Sequence, residues 1–303
     1  MSTPHPPGST RNLSDEALTA AVIASFDGAS SERFRTVAQS LVHHLHAFLA
    51  ESRPSEQEWA AAIDFLTRTG QISDERRQEF ILLSDVLGVS MLVIGINHPA
   101  GEGATESTVF GPFFVAGAPE IANGEDIARG APGAPCLMTG TVRSLDGTVL
   151  AGAVIDVWQA DEAGFYDVQY PDLDGARGRA QLRTLSDGSF SFWSVLPTAY
   201  PIPADGPVGE LLAAAGRGPM RPAHVHFMVA APAHATLITH VFVAGDEHLD
   251  GDAVFGVKAS LIAPFERHEP GSAPDGRVLD EPYYTMHYDM VLAPAPAPAS
   301  EKG

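Results

Sequence analysis

Arg221-Pro222-Ala223-His224-Val225-His226-Phe227-Met228-Val229-Ala230 reads as a buried β-strand entered from a proline turn. Side chains alternate along a strand, so His224 and His226 point to the same face. Two imidazoles on one rigid face make half of a metal site, because imidazole suits iron, zinc, copper and nickel. Buried histidines satisfied by hydrogen bonds produce the same pattern, and the motif alone leaves both readings open.

Around this strand the texture is that of a sheet-rich domain. Leu137–Val142, Gly152–Trp158, Gln181–Leu185, Ser189–Val195 and Leu237–Val243 are short β-prone runs. Ser144-Leu145-Asp146-Gly147 and Ser186-Asp187-Gly188 between them carry hairpin-turn signals. Close-spaced strands with Gly/Pro-rich loops, and no sustained helix between them, argue for an antiparallel sandwich rather than a doubly wound fold. The long loop 200–220 is rich in Pro and Gly, which marks it as functional or mobile.

The N-terminal third is helical. Ser14 caps a helix through Ala17, Val22 and Phe26. Phe34, Val37, Leu41, Leu45 and Phe48 form the stripe of an amphipathic second helix. His43, His44 and His46 in that helix are read as partly exposed positions rather than a metal cluster. Ser55-Glu56-Gln57-Glu58 is a capping box for a third helix, expected to stop at Gly70. A fourth, started by Ser73 or Asp74, runs from Phe80 to Ile94 and is apolar nearly all round, so burial is expected. Asp85 interrupts it, and a carboxylate there must be capped, paired or turned into a cavity.

The fold class expected is therefore α+β, with helical residues 1–103, a β-sandwich over 104–292 and a disordered Ala/Pro tail over 293–303; residues up to about 12 are also expected to be disordered. Composition limits the function. The 303 residues carry 18 Lys plus Arg against 38 Asp plus Glu, a formal charge of −20 that disfavours nucleic acid and anionic membrane surfaces. A single cysteine, Cys136, excludes an intrachain disulfide framework and fits a reducing cytoplasm. No secretory signal and no bilayer-spanning run is visible.

Two tyrosines add chemistry to the histidine strand. Tyr166 in Gly164-Phe165-Tyr166 and Tyr200 in Pro197-Thr198-Ala199-Tyr200-Pro201 each lie at a strand-to-loop edge. A lone tyrosine is more often a packed ring with a bonded hydroxyl. With His-x-His, however, two phenols point to ferric iron, a hard ion whose charge can deprotonate a phenol of ordinary pKa about 10. Zinc would more typically show Cys, His or carboxylate ligands, and a ferrous oxygenase two histidines with a carboxylate.

Leu150-Ala-Gly-Ala-Val-Ile-Asp-Val-Trp158-Gln-Ala-Asp161-Glu-Ala-Gly164-Phe-Tyr166-Asp167 resembles the signature of intradiol ring-cleavage dioxygenases. Tyr200 in its Pro-rich setting and Arg221-Pro-x-His224-x-His226 match the rest of that family's iron site, and the resemblance covers nearly the whole chain. It implies a non-haem Fe(III) with Tyr166 and His224 equatorial and Tyr200 and His226 axial. It also implies a homodimer built on the N-terminal helices and, in some members, a phospholipid held in an apolar channel there.

Leu83-Ser-Asp85-Val-Leu-Gly-Val-Ser-Met91, Ser107-Thr-Val109-Phe110-Gly111-Pro112-Phe113-Phe114, Gly164-Phe-Tyr-Asp-Val-Gln169 and Thr239-His240-Val-Phe242 are most similar to the branch acting on hydroxyquinol rather than catechol. By that similarity Leu82, Asp85, Val109, Phe110, Gly111, Pro112, Phe113 and Arg221 line the pocket for a small aromatic diol or triol and O2. His240 stands where catechol enzymes usually carry glutamine, behind the ligands rather than among them. Asp85 would give the third ring hydroxyl its polar partner. The implied mechanism uses Tyr200, displaced by the diol, as proton acceptor and Arg221 as charge stabiliser. The product would be 3-hydroxy-cis,cis-muconate, the enol of maleylacetate.

Three rivals stand beside this reading. Gly140–Val157 also resembles metal-free prealbumin-like binding modules, and a cupin metalloenzyme would share His-x-His but lacks its glutamate between Phe227 and Pro232. The same chemistry on catechol or chlorocatechol is the third.

Overall fold

The computed structural model describes residues 11–74, 77–98 and 101–295. Among them, five helices precede the first strand: α1 Asp15–Ala24, α2 Glu32–Ser52, α3 Glu56–Ile72, α4 Glu79–Val86 and α5 Val89–Asn97. The chain divides into two compact units within α3, between Thr67 and Arg68.

In the first unit, hydroxyl caps start the helices as the sequence indicates. Ser14 Oγ accepts from Ala17 N at 3.3 Å. The Ser55–Glu58 box is reciprocal, with Ser55 N donating to Glu58 Oε2 at 2.7 Å and Glu58 N to Ser55 Oγ at 3.2 Å. The stripe of α2 is exposed along its length, from Phe34 to Phe48. His43 and His44 are exposed, and His46 meets Thr19 of α1 at 2.9 Å.

Two expectations for the later helices need correction. Gly70 does not stop α3, which continues to Ile72. A single glycine costs only about 1 kcal/mol in a helix, and the Phe80 ring packs over this one. The apolar run 80–94 is not one helix. It starts at Glu79, beyond Ser73 and Asp74, and breaks at Leu87-Gly88, where Gly88 takes φ +71° and the axis turns by 79°. Nor is the run wholly buried. Phe80, Ile81, Leu87, Leu92 and Val93 are about half exposed or more, whereas Val86 is fully buried. Among the described residues no single helix is long and apolar enough to cross a membrane.

The second unit holds two five-stranded sheets. Its strands are β1 Pro135–Ser144, β2 Val154–Trp158, β3 Arg179–Arg183, β4 Ser189–Val195, β5 Tyr200–Pro201, β6 Met220–Arg221, β7 His224–Ala230, β8 Leu237–Val243, β9 Ile262–Ala263, β10 Phe265–His268, β11 Gly271–Ser272, β12 Val278–Leu279, β13 Tyr283–His287 and β14 Met290–Leu292. One sheet runs β10-β13-β1-β14, with β4 also paired to β1; the other runs β3-β2-β7-β8-β9. A short helix, α6 Pro207–Ala214, occupies the loop that reads as irregular in the sequence.

Between the sheets lies one apolar core, with Met138, Phe190, Phe192 and Met286 from the first facing Ile155, Leu182, Val225, Phe227 and Val241 from the second. The sandwich is mixed rather than wholly antiparallel, because β1 pairs in parallel with β13 and β14, and β8 with β9. The Ser144–Gly147 and Ser186–Gly188 turns do close, with Ser144 N donating to Thr148 O and Leu185 N to Ser189 O, each at 2.8 Å. The first closes a short hairpin, with Arg143 bridged antiparallel to Val149 and Leu150 N donating to Val142 O at 2.9 Å. Neither turn joins two paired strands of one sheet, since β1 and β4 belong to one sheet and β2 and β3 to the other. Arching across lets successive apolar faces look into the same core.

At the C-terminal end, the first residues of the Ala/Pro tail are ordered. Ala235 N donates to Ala293 O and Ala295 N to Ala233 O, both at 2.9 Å. Residues 1–10 and 296–303, most of the stretches expected to be disordered, lie outside the described residues.

β7 sits between β2 and β8, and its alternation puts Val225, Phe227 and Val229 in the core. His224 and His226 therefore face outward, beneath loops that cover the sheet. Phe227→Ala is expected to cost about 3–5 kcal/mol, read as a lowered urea midpoint. An unchanged midpoint would show that this face does not carry the core.

Candidate metal centre

His224, His226 and His240 present one cluster on the outer face of the second sheet. In register, His226 lies between Trp158 of β2 and His240 of β8. The Trp158 indole stacks on the His226 ring, centroids 4.7 Å apart and planes 17° apart. His224 Nδ1 lies 2.7 Å from the Pro222 carbonyl, so it carries the proton and turns Nε2 into the site as a free lone pair.

Both tyrosines arrive on loops above the sheet. Tyr166 follows β2 and begins a 3-10 turn, Asp167–Gln169; its backbone N donates to Gln169 Oε1 at 2.8 Å. Tyr200 opens β5, which pairs with β6 so that Tyr200 faces Arg221. Gly164 allows the two loops to touch. A Cβ there would lie 2.8 Å from Tyr200 Cβ, and φ +81° already disfavours any L side chain. Gly111 does the same on the other flank, where a Cβ would come within 3.0 Å of His226 Cε1.

Four donor atoms converge. Tyr166 Oη lies 3.1 Å from Tyr200 Oη and 2.9 Å from His226 Nε2. His224 Nε2 lies 3.1 Å from His226 Nε2 and 3.5 Å from Tyr200 Oη. Donors bound at roughly 2.0–2.1 Å to a shared ion would be separated by roughly 2.9–3.6 Å. The cluster thus fits a metal ion.

Electrostatics point the same way. Burial pushes the Tyr166 phenol well above its ordinary value, and Tyr200 beside it adds to the effect. Burial holds His224, His226 and His240 well below the usual histidine range, with one another's charge and that of Arg221 contributing. Neutral imidazoles are ready ligands, and a phenol as buried as Tyr166 ionises only against a strong positive centre.

His240 is fully buried, and the ligating atoms of the three histidines lie within 4.8 Å of one another. Its Nδ1 is engaged elsewhere, 3.0 Å from Thr108 Oγ1 and 3.4 Å from Arg221 Nη2. Arg221 is held by Asp252, Nε to Oδ1 at 3.2 Å, and its Nη1 lies 3.1 Å from His224 Nε2. Burial opposes this guanidinium charge, but Asp252 and the two phenols more than offset it and raise the arginine above its ordinary value.

A cavity of about 690 Å³ opens beside the cluster and is lined by Leu82, Asp85, Pro112 and Phe113 among others. A second, of about 480 Å³, shares Phe113 and Gln169 with it and reaches Tyr200. Phe113 stacks on Tyr166 with centroids 4.5 Å apart. The other residues read as pocket-lining take different places. Val109 is buried behind the wall with Val86, Ile202 and Val254. Phe110 turns outward onto Phe114 and Trp158, Gly111 presses on His226, and Arg221 lies against the cluster, its Nη1 beside His224 Nε2. Asp85 is 6% exposed. Burial pushes its carboxyl above the ordinary carboxylate range, against the pull of a Ser90 hydrogen bond and the Arg221 charge.

Several partners escaped the sequence reading: Asp252 behind Arg221, Thr108 behind His240, and the Asp167–Arg179 pair beside Tyr166. Their signals were weak, since an Asp in a Gly-rich loop or an Arg opening a strand is ordinary. Gly164 was quoted only as part of a motif.

A family model described as "Dioxygenase" matches residues 109–294, and one described as "Catechol dioxygenase N terminus" matches residues 31–105. The hydroxyquinol 1,2-dioxygenase of Nocardioides simplex is 53% identical over 296 residues, 97% of this chain and 100% of that relative. Among solved structures, hydroxyquinol 1,2-dioxygenase from Pseudomonas putida DLL-E4 superposes with a TM-score of 0.87 at 45% identity, covering 93% of this chain and 99% of its own. Catechol 1,2-dioxygenase from Pseudomonas arvilla C-1 does so with a TM-score of 0.81 at 29% identity, covering 96% of each chain.

The raised Asp85 carboxyl has a stability consequence with a definite sign. Below about pH 3.9, the ordinary Asp value, folded and unfolded chains both hold its proton. As pH climbs through the raised folded value, the buried group ionises at a cost that the unfolded chain does not bear. Asp85→Asn is therefore expected to be more stable than the parent at pH 7, with the advantage shrinking towards pH 4. Parallel denaturant titrations at the two pH values check this; an advantage independent of pH would contradict it.

Proposed function

The chain belongs to the intradiol ring-cleavage dioxygenases, a family of non-haem iron enzymes, and from that premise we propose that it opens hydroxyquinol (1,2,4-trihydroxybenzene) with O2. The bond between the two adjacent hydroxylated carbons breaks, both oxygen atoms enter the product, and 3-hydroxy-cis,cis-muconate results. The observation that supports the reading is the convergence of Tyr166, Tyr200, His224 and His226, with four donor–donor distances of 2.9–3.5 Å that a shared metal ion would fit. Two phenols in the set favour Fe(III) over zinc or ferrous iron. The iron, when bound, withdraws electron density from the diol and makes it reactive towards O2.

The remaining work falls to side chains. Of the two tyrosines Tyr200 is the one that lines a cavity, and it is assigned the role of taking a substrate proton. Arg221, locked by Asp252, stabilises negative charge developing on the ring. Phe113, stacked on Tyr166, gives the ring an apolar wall and keeps water away. Asp85 supplies the polar partner for the third hydroxyl, the feature that separates hydroxyquinol from catechol. The 53% identity to a hydroxyquinol 1,2-dioxygenase supports that choice.

The same reading includes a homodimer. Phe34, Leu41, Leu45 and Phe48 of α2, with Trp59 and Ile63 of α3, leave an exposed apolar surface that a second copy would cover, with a phospholipid channel as part of that interface.

Oxygen uptake by iron-loaded protein tests the assignment, with hydroxyquinol and catechol compared and autoxidation subtracted. Hydroxyquinol is expected to be the better substrate, Tyr200→Phe to lower kcat by about 10²-fold or more, and Asp85→Leu to erode the preference. Preference for catechol would overturn the role of Asp85. Near-parental turnover by Tyr200→Phe would overturn that of Tyr200.

A further inference from the structure

Tyr166 stands on a loop, where a metal ligand needs external support to hold its direction. That support comes from β3. Arg179 is the first residue of β3, opposite Trp158 in the β2 register, and is 4% exposed. Its Nε donates to Asp167 Oδ2 at 2.6 Å, its Nη2 to Asp167 Oδ1, and its Nη1 to the Phe113 carbonyl at 3.0 Å. Asp167 directly follows Tyr166. Its carboxylate also accepts from Val168 N at 2.8 Å and Arg177 N at 3.1 Å. Phe113 is the ring stacked on Tyr166 and shared by the two cavities.

One guanidinium thus ties two separate loops to the sheet: the one that carries Tyr166 and the one that packs against its face. We infer that Arg179, acting through Asp167 and the Phe113 carbonyl, is a positioning residue that sets the direction of the Tyr166 phenol in the metal site. The inference rests on the four-ligand reading above.

A purely structural role would look different. A buried ion pair commonly contributes little net stability against an apolar replacement, so its removal in pairs need not unfold the protein. What cannot be replaced is the shape. A planar fork reaches both carboxylate oxygens and a carbonyl together, whereas an ammonium offers one point of attachment.

The test uses iron-loaded protein and reads the phenolate-to-iron charge-transfer absorption, iron per chain, kcat and KM, with the melting temperature of the iron-free form alongside. The double variant Asp167→Asn/Arg179→Met leaves no unpaired buried charge and is expected to melt close to the parent. Its absorption band is expected to shift or fade, and iron affinity and kcat to fall by roughly 10–100-fold, with a smaller change in KM. Should the double variant fold poorly, Arg179→Lys, which keeps the charge and loses the fork, is expected to give the same spectral shift and decides the matter.

A folded variant with the parental band, iron content and kcat would overturn the inference. Tyr166→Phe, measured in parallel, separates this from failure of the ligand assignment. If the parent shows no such band, or if Tyr166→Phe leaves it unaltered, it is the four-ligand reading that falls, and the positioning role with it.

Discussion

Two phenols and two imidazoles crowd together, each within 3.5 Å of two of the others, where burial disfavours the anionic form of Tyr166 and the cationic forms of both histidines. Such a cluster has little to offer as structure. Its hydrogen bonds are made among groups that would each be better served by water, and its histidines cannot relieve the strain by protonating. A positive centre changes the balance, because it binds neutral imidazoles and turns phenols into anions at once. The rest of the second unit is arranged so that this cluster stays dry and keeps its shape.

The arrangement divides rigidity between sheet and loops. The histidines are anchored by β7, a central strand whose other face is fully committed to the core, so neither can turn away without dragging Phe227 and Val225 out of it. The tyrosines have no such anchor and rely on local devices: Gly164 lets the loops touch, β5 pairs with β6, and the Asp167–Arg179 pair ties a loop to β3. Arg221 is itself steadied by Asp252, so the buried cation beside His224 is already balanced before any substrate arrives. Asp85 is the opposite case, a buried carboxyl on a cavity wall with Leu82 and Phe113, where the Ser90 hydrogen bond and the Arg221 charge do not outweigh its burial. Local rules are most often broken where a ligand will complete them.

Much of the site was legible in order of sequence because metal-ligand chemistry is a property of residue type. His224 and His226 could be set on one face from alternation alone, and two tyrosines near strand ends narrowed the metal. The wall of the larger cavity was legible only in part. Leu82, Asp85, Pro112 and Phe113 meet at one cavity, whereas Phe110 turns outward, since a run such as Ser107–Phe114 has no periodicity from which a direction can be read. The break at Gly88 was likewise invisible, because an apolar run with one glycine satisfies helix and turn equally well.

The limits of β4, β7 and β8, the caps Ser14 and Ser55, and the facing of β7 were legible in the sequence by itself. The bounds His224–Ala230 and Leu237–Val243 coincide with β7 and β8, and Ser14 and Ser55 cap the helices they precede. These features depend on sterics and hydrogen bonds reaching only a few residues along the chain. Tertiary structure alone decided that β1 and β2 join different sheets, that Asp252 balances Arg221, and that Arg179 reaches both Asp167 and Phe113. Each of these depends on which distant segments share one core. That choice is made by the burial of whole faces, and no local pattern encodes it.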